Sequence, residues 1–231
     1  MFRQLFARIP SQCLVCRRWP AQSLCLPCRS RFGQPVARCT RCALPVAPGV
    51  VQCGVCLRQP PAFDACFAAV DYAYPWSMLL ARYKFASEPG LAGVLAGLLC
   101  AAPGVSHALA NATLVLPMPL ADERLRERGF NQSLELARRL GAAHLHSTLL
   151  LRPLHRPPQS ALARAERLRN VAGVFAVDPL QAGRLRGATV VLVDDVMTSG
   201  ASLSAAASVL REAGARHISA LVVARTPTPR Q

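Results

Sequence analysis

The sequence predicts an α/β protein, a parallel sheet flanked by helices, preceded by a small metal-held module. Three observations carry this. From Phe63 onward, short apolar runs alternate with helix-period segments. The last fifty residues read as strand, turn, helix, strand, and such a βαβ unit implies parallel strands. Before Pro60-Pro61, a candidate hinge, that alternation is missing, yet eight of the ten cysteines lie there. Residues 1–60 therefore form one predicted module and residues 61–231 a second.

The elements follow in order. Cys66 to Val70 predicts a strand; Trp76 to Phe85 and Leu91 to Leu99 predict helices separated by Gly90. Thr113 to Leu116 predicts a strand. Gln132 to Leu140 predicts a helix, with Asn131 placed to cap it. Short strands are expected at Thr148 to Leu151 and Val174 to Val177, with a helix over Ser160 to Arg169 between them. Thr189 to Val193 is a continuous apolar strand. Ala201 to Ala213 follows as a helix whose inner stripe is Leu203, Ala206, Ala207 and Leu210, and Gly214 ends it. His217 to Ala224 is a buried strand, and Thr226 to Gln231 reads as a disordered tail.

Composition narrows the classes. No run of about eighteen apolar residues escapes Gly, Pro or Arg, so no membrane insertion is expected. The first twelve residues are too short and broken for a signal peptide, and the chain reads as soluble and cytoplasmic. The formal charge is +15, with Lys84 the single lysine among 27 basic residues. Part of that excess is an arginine-rich codon habit. Its distribution is uneven, because Met1 to Phe63 holds nine Arg and no Asp, Glu or Lys. Eight thiolates binding two divalent ions would lower this charge, so the raw value overstates the attraction to phosphates.

The eight cysteines form four Cys-x-x-Cys pairs: Cys13/Cys16, Cys25/Cys28, Cys39/Cys42 and Cys53/Cys56. Each such pair sets two thiolates on one knuckle, and four thiolates satisfy tetrahedral zinc. Two structural zinc ions are expected. Sequential pairing and a cross-braced pairing of the first knuckle with the third both fit the spacing, and disulfides are the alternative to metal. Cys66 and Cys100 lie in apolar stretches and are expected in the core.

The strand at Val190 to Val193 ends in Asp194 and Asp195, and Thr198-Ser199-Gly200-Ala201-Ser202 then opens a helix. Ligands of open α/β sheets sit at the carboxyl ends of strands. Free amides at a helix start and the helix dipole suit a phosphate, and Gly200 allows close approach. Two carboxylates repel a phosphate but suit a diol or a cation. A ribose 5-phosphate supplies both halves. The alternative is an ordinary strand-to-helix turn with capping acids, which the ordered set of acids, hydroxyls and glycine does not need.

This turn resembles the ribose-phosphate loop of the type I phosphoribosyltransferases. Leu116-Pro117-Met118-Pro119-Leu120 and Arg124 to Gln132, with Gln159, Arg169-Asn170, Gly173-Val174-Phe175 and the Cys-rich start, resemble more narrowly the ComF family of competence-associated proteins. Met118, Ala121, Pro158, Ser199 and Ser202 depart from the Val, His and Thr usual there. The resemblance implies a type I phosphoribosyltransferase-like domain behind a double zinc ribbon. Asp194 and Asp195 would hold ribose hydroxyls, and Thr198 to Ser202 the 5-phosphate of phosphoribosyl pyrophosphate. Pro117, Met118 and Pro119 would lie where the magnesium pyrophosphate docks, in a turn often of unusual peptide geometry. The residues add that Arg124, Arg126 and Arg128 follow this turn, either as cations for the leaving group or as a solvated helix face. Lys84 either touches the pyrophosphate or snorkels from its helix.

Three functions follow. One is phosphoribosyl transfer, for which no acceptor motif is visible. Another, from the family association, is a role in natural transformation or DNA utilisation, with single-stranded DNA or a competence helicase as partner. The last is a ribose-phosphate-sensing regulator. Trp19 and Phe32 are the only aromatic platforms in the cysteine-rich part, which weakens base stacking.

Overall fold

A computed structural model describes residues 11–153 and 174–227 of the chain. The predicted helix at Ser160 to Arg169, the positions Pro158, Gln159, Arg169-Asn170 and Gly173, and the last four residues lie outside the described part.

The core is a four-stranded parallel sheet of β1 (Ala65–Asp71), β2 (Leu114–Pro117), β5 (Thr189–Met197) and β6 (His217–Arg225), in the order β1-β6-β5-β2. The strands β5 and β6 are central and covered on both faces, which is why their sequences are nearly continuous apolar runs. The period of two sorts their side chains. Val191, Val193, Leu221 and Val223 meet helices α3 (Trp76–Phe85), α4 (Ala92–Cys100) and α7 (Gln132–Arg139) through Leu79, Tyr83, Leu95, Leu99 and Leu136. Val190, Leu192, Ile218, Ala220 and Val222 meet α8 (Ala201–Glu212) through its predicted stripe, Leu203, Ala206, Ala207 and Leu210. Full burial of each leucine contributes about 1.5–3 kcal/mol.

A small antiparallel pair, β3 (Leu150–Leu151) and β4 (Ala176–Val177), adds Leu149, Leu150 and Phe175 to this second face. Both strands are shorter than the expected runs. The short helices α5 (Val105–Ala110) and α6 (Asp122–Arg128) connect the layers. Among the described residues no helix is long and apolar enough to cross a membrane.

The cysteine-rich part carries α1 (Leu26–Phe32) and α2 (Gly54–Arg58), each opening directly after a cysteine. Its two halves are seated differently. Cys13, Cys25 and Cys28 form a small cluster of their own. Cys39, Cys42, Ala43 and Cys56 join the core cluster of β5, β6 and α8. The stretch around Pro60-Pro61 is fastened: Arg41 donates to the carbonyls of Pro61 and Asp64, and the Ala62 amide donates to Ser204 Oγ. Cys66 is buried as expected, but Cys100 is exposed, because it closes α4 on the solvent side rather than within its buried stripe.

Candidate functional site

Register creates the site. The last residue of β2, Pro117, is paired with Val193, whereas β5 continues to Met197 along β6. Asp194 is therefore the first residue of β5 with no β2 neighbour. The expected strand end at Val193 is in this way extended by four residues, since pairing of Asp194 with Val222, Val196 with Ala224 and Met197 with Arg225 holds the acids within the ladder. The turn from Pro117 to Leu120 leaves β2 beside this unaccompanied end of β5. The Met118 amide donates to Val193 O (2.9 Å), and Asn131 Nδ2 donates to Met118 O (3.1 Å). Asn131 also caps α7 by accepting from the Leu134 amide. The peptide bonds of this turn are trans, so the unusual geometry expected by resemblance is not seen there.

The two acids have different surroundings. Asp195 is buried, 4% exposed, and its Oδ1 lies 2.9 Å from Lys84 Nζ at the end of α3. Asp194 is half-buried; its Oδ1 accepts from Ser133 Oγ on α7 and from the Asp195 amide, both at 2.9 Å. Burial first, and the Asp195 charge second, push the Asp194 carboxyl up to about 7. The Asp195 amide, the Ser133 hydroxyl and Lys84 pull it back. Asp194 is the more exposed of the two acids, while Asp195 anchors the lysine.

The turn Thr198 to Ser202 follows directly. Thr198, Ser199, Ala201 and Ser202 are exposed. Gly200 caps α8 with φ of +81°, and a Cβ there would come within 3.2 Å of Met197 Cε. Ser199 Oγ accepts from the Ala201 amide at 3.3 Å. The leading amides of α8 have no partners within the helix, so the turn offers donors to an anion.

A profile of the Phosphoribosyl transferase domain family matches residues 85–231. The protein is similar to the DNA utilization protein YhgH of Salmonella typhimurium, 33% identical over 231 residues, 94% of this chain and 98% of the relative. Competence protein F of Haemophilus influenzae is 29% identical, covering 93% of this chain and 96% of the relative. Competence protein ComFC of Bacillus subtilis is 36% identical over 108 residues, 44% of this chain and 39% of the relative. The chain belongs to the ComF family.

In this ComF chain the domain match begins one residue after Lys84, and tertiary packing of α3 against α7 supplies the lysine. Tyr83 Oη donates to Gln132 O at 2.7 Å, and the rings of Tyr83 and Phe130 lie 5.4 Å apart. Of the three predicted arginines, Arg128 is taken up by a stack on Phe85 and a bond to Gln132 Oε1. Arg126 is exposed. Arg124 is exposed and close enough to Arg152 to hold its guanidinium below the usual range, burial being the larger cause and Asp194 opposing it. Arg152 is stacked on Phe175 and feels the charges of Arg124 and Asp194.

Sequence reasoning missed two of these residues. Ser133 carried a signal, lying two residues after a helix cap. Arg152 had none, because its position depends on β3 pairing with β4 across the chain.

The cysteines of this ComF protein gather sequentially. Cys13, Cys16, Cys25 and Cys28 form one group and Cys39, Cys42, Cys53 and Cys56 another, with the sulfur atoms of each within 4.8 Å of one another. The Cys25 and Cys53 amides donate to Cys13 Sγ and Cys39 Sγ. Against the cost of burial, these and neighbouring amides lower Cys13 to about 6 and Cys39 to about 7. Burial and nearby sulfurs push Cys28 up to about 12 and Cys42 up to about 11. The Cys13 and Cys39 thiolates therefore form readily, whereas those of Cys28 and Cys42 need a cation. That donor set fits a zinc ion with no open coordination position.

Proposed function

We propose that the chain binds a ribose 5-phosphate group, that of phosphoribosyl pyrophosphate with magnesium, and acts in DNA uptake or DNA use. The observation that carries this is the placement of half-buried Asp194 at the first position of β5 beyond the end of β2, four residues before an exposed turn of helix-start amides. Asp194 accepts from the ribose hydroxyls. Asp195 holds the Lys84 side chain beside them. The amides and hydroxyls of Thr198 to Ser202 take the phosphate, with Gly200 and Ala201 giving backbone only.

Pro117, Met118 and Pro119 line the opposite wall, where the pyrophosphate docks. Arg124, which follows this turn in the chain, and Arg152, which feels the charges of Arg124 and Asp194, are the cations that would offset its charge as the C1–O bond breaks. Magnesium would neutralise the same leaving group. In the transfer reading, a nucleophile forms a new bond to C1 as pyrophosphate departs with the bonding pair. Calorimetry with phosphoribosyl pyrophosphate and magnesium tests binding, and Asp194→Asn should weaken it at least tenfold. Pyrophosphate release with a panel of bases separates a transferase from a ribose-phosphate-sensing regulator.

The DNA role rests on the names of the relatives and on one local arrangement. Phe32 of the first cysteine group and Tyr74 of the sheet domain meet edge to face at 5.8 Å. Arg31 lies 5.2 Å over the Phe32 ring, and Arg18 lines the same pocket. Tyr74 and Trp19 are each 64% exposed. Aromatic faces among arginines suit the bases and phosphates of a single strand. Salt-dependent binding of single-stranded DNA, weakened by Tyr74→Ala, is the expected result. A helicase partner would be sought by co-purification.

A further inference from the structure

Arg225 ends β6 and is 5% exposed, yet among the described residues no carboxylate pairs with it. Its guanidinium is held by main-chain oxygens: that of its neighbour Thr226, and others from two distant parts of the chain. Nε donates to Cys42 O at 2.9 Å, inside the Cys39–Cys42 knuckle. Nη1 donates to Met197 O at 3.2 Å and also to the Thr198 carbonyl, at the start of the phosphate turn. A buried guanidinium with only neutral acceptors is costly unless its geometry serves a purpose or an anion lies near. Both neighbours supply anions in the loaded protein: four thiolates around a divalent ion carry a net negative charge, and the turn takes a phosphate.

A second path runs alongside. The Cys66 amide donates to Thr40 O in the same knuckle at 3.0 Å. Cys66 Sγ lies 3.8 Å from Met197 Sδ, and Met197 Cε packs beneath Gly200. The knuckle and the turn therefore meet at Met197 twice. The first cysteine group makes no contact of this kind among the described residues.

We propose that Arg225 is a positioning residue that makes the sugar-phosphate affinity of the Thr198 to Ser202 turn depend on the metal-loaded state of the Cys39, Cys42, Cys53 and Cys56 group. The coupling rests on the sugar-phosphate reading given above; the clamp itself does not. Thermodynamic reciprocity supplies the test, because a ligand whose affinity rises with bound metal must tighten that metal equally.

The full-length, zinc-loaded protein is titrated at equilibrium against a metal-binding dye, with and without saturating ribose 5-phosphate. One of its two zinc ions should gain about fivefold or more in apparent affinity, within the usual span of coupling between sites. Arg225→Lys keeps the charge but cannot fork between Cys42 and Met197. It should hold two zinc ions and show no gain. An equal gain in Arg225→Lys, or none in wild type that binds ribose 5-phosphate by calorimetry, overturns the proposal. If calorimetry finds no binding to wild type, the sugar-phosphate reading fails and amide exchange decides the clamp. The Ser204 amide donates to Gly200 O. It should exchange at least about fivefold faster in Arg225→Lys, with the β5 core unchanged. Unchanged Ser204 exchange overturns the clamp.

Discussion

Lys84 Nζ lies 2.9 Å from Asp195 Oδ1, so the single lysine of the chain meets the more buried of two adjacent acids. This contact separates two carboxylates that look equivalent in sequence. Lys84→Met leaves Asp195 buried without its cation. It should destabilise the protein by about 3–5 kcal/mol, the cost of breaking a buried pair from one side. Lys84→Met/Asp195→Asn should recover most of that loss in a thermal melt. A double variant as unstable as the single one would mean that the pair does not hold the site.

Asp194 gives a pH signature. Its folded-state value, about 7, lies above the usual carboxylate value. The unfolded chain therefore releases this proton first as pH rises, and stability declines from about pH 4 until Asp194 ionises near 7. Asp194→Asn removes the penalty. It should melt higher than wild type at pH 8, by roughly 3–8 °C, with a smaller difference at pH 4. Sugar-phosphate affinity in wild type should rise through pH 7 as the accepting carboxylate forms. A melting difference independent of pH would refute the assignment.

Metal content should be close to two zinc per chain. Sequential grouping makes the sites separable, so Cys13→Ser and Cys39→Ser should each leave about one. The second change should lower the melting temperature more, since Cys39 is packed into the core shared with β5, β6 and α8 and Cys13 is not. Equal melting temperatures would contradict that packing.

Gly200→Ala places a Cβ in a left-handed conformation and 3.2 Å from Met197 Cε. A cost of about 1–2 kcal/mol is expected from the backbone. Affinity for ribose 5-phosphate should fall at least tenfold, because the turn that presents its amides shifts. Calorimetry on the zinc-loaded variant checks this, and unchanged affinity would remove Gly200 from the site.

Much of the fold was legible because its signals are local. The bounds of Trp76–Phe85 follow from helix periodicity, and Asn131 capping α7 follows from its side chain. The inner stripe of α8 is buried as its spacing requires. The strand carrying the acids was read short, since charged residues ordinarily end an apolar run; here pairing with β6 carries the ladder on to Met197. Cys100 was misplaced because apolar neighbours do not reveal which side of a helix faces the core.

The sequence by itself determined the cysteine knuckles, the apolar strands and the acid-turn-helix segment, all of which depend on residues a few positions apart. Tertiary structure alone decided that Lys84 meets Asp195, that Ser133 meets Asp194, and that Arg225 joins Cys42 to Met197. These contacts join residues far apart in the chain, and no periodicity encodes them. Their partners are selected by which buried charges and carbonyls come within hydrogen-bond reach once the sheet and helices pack.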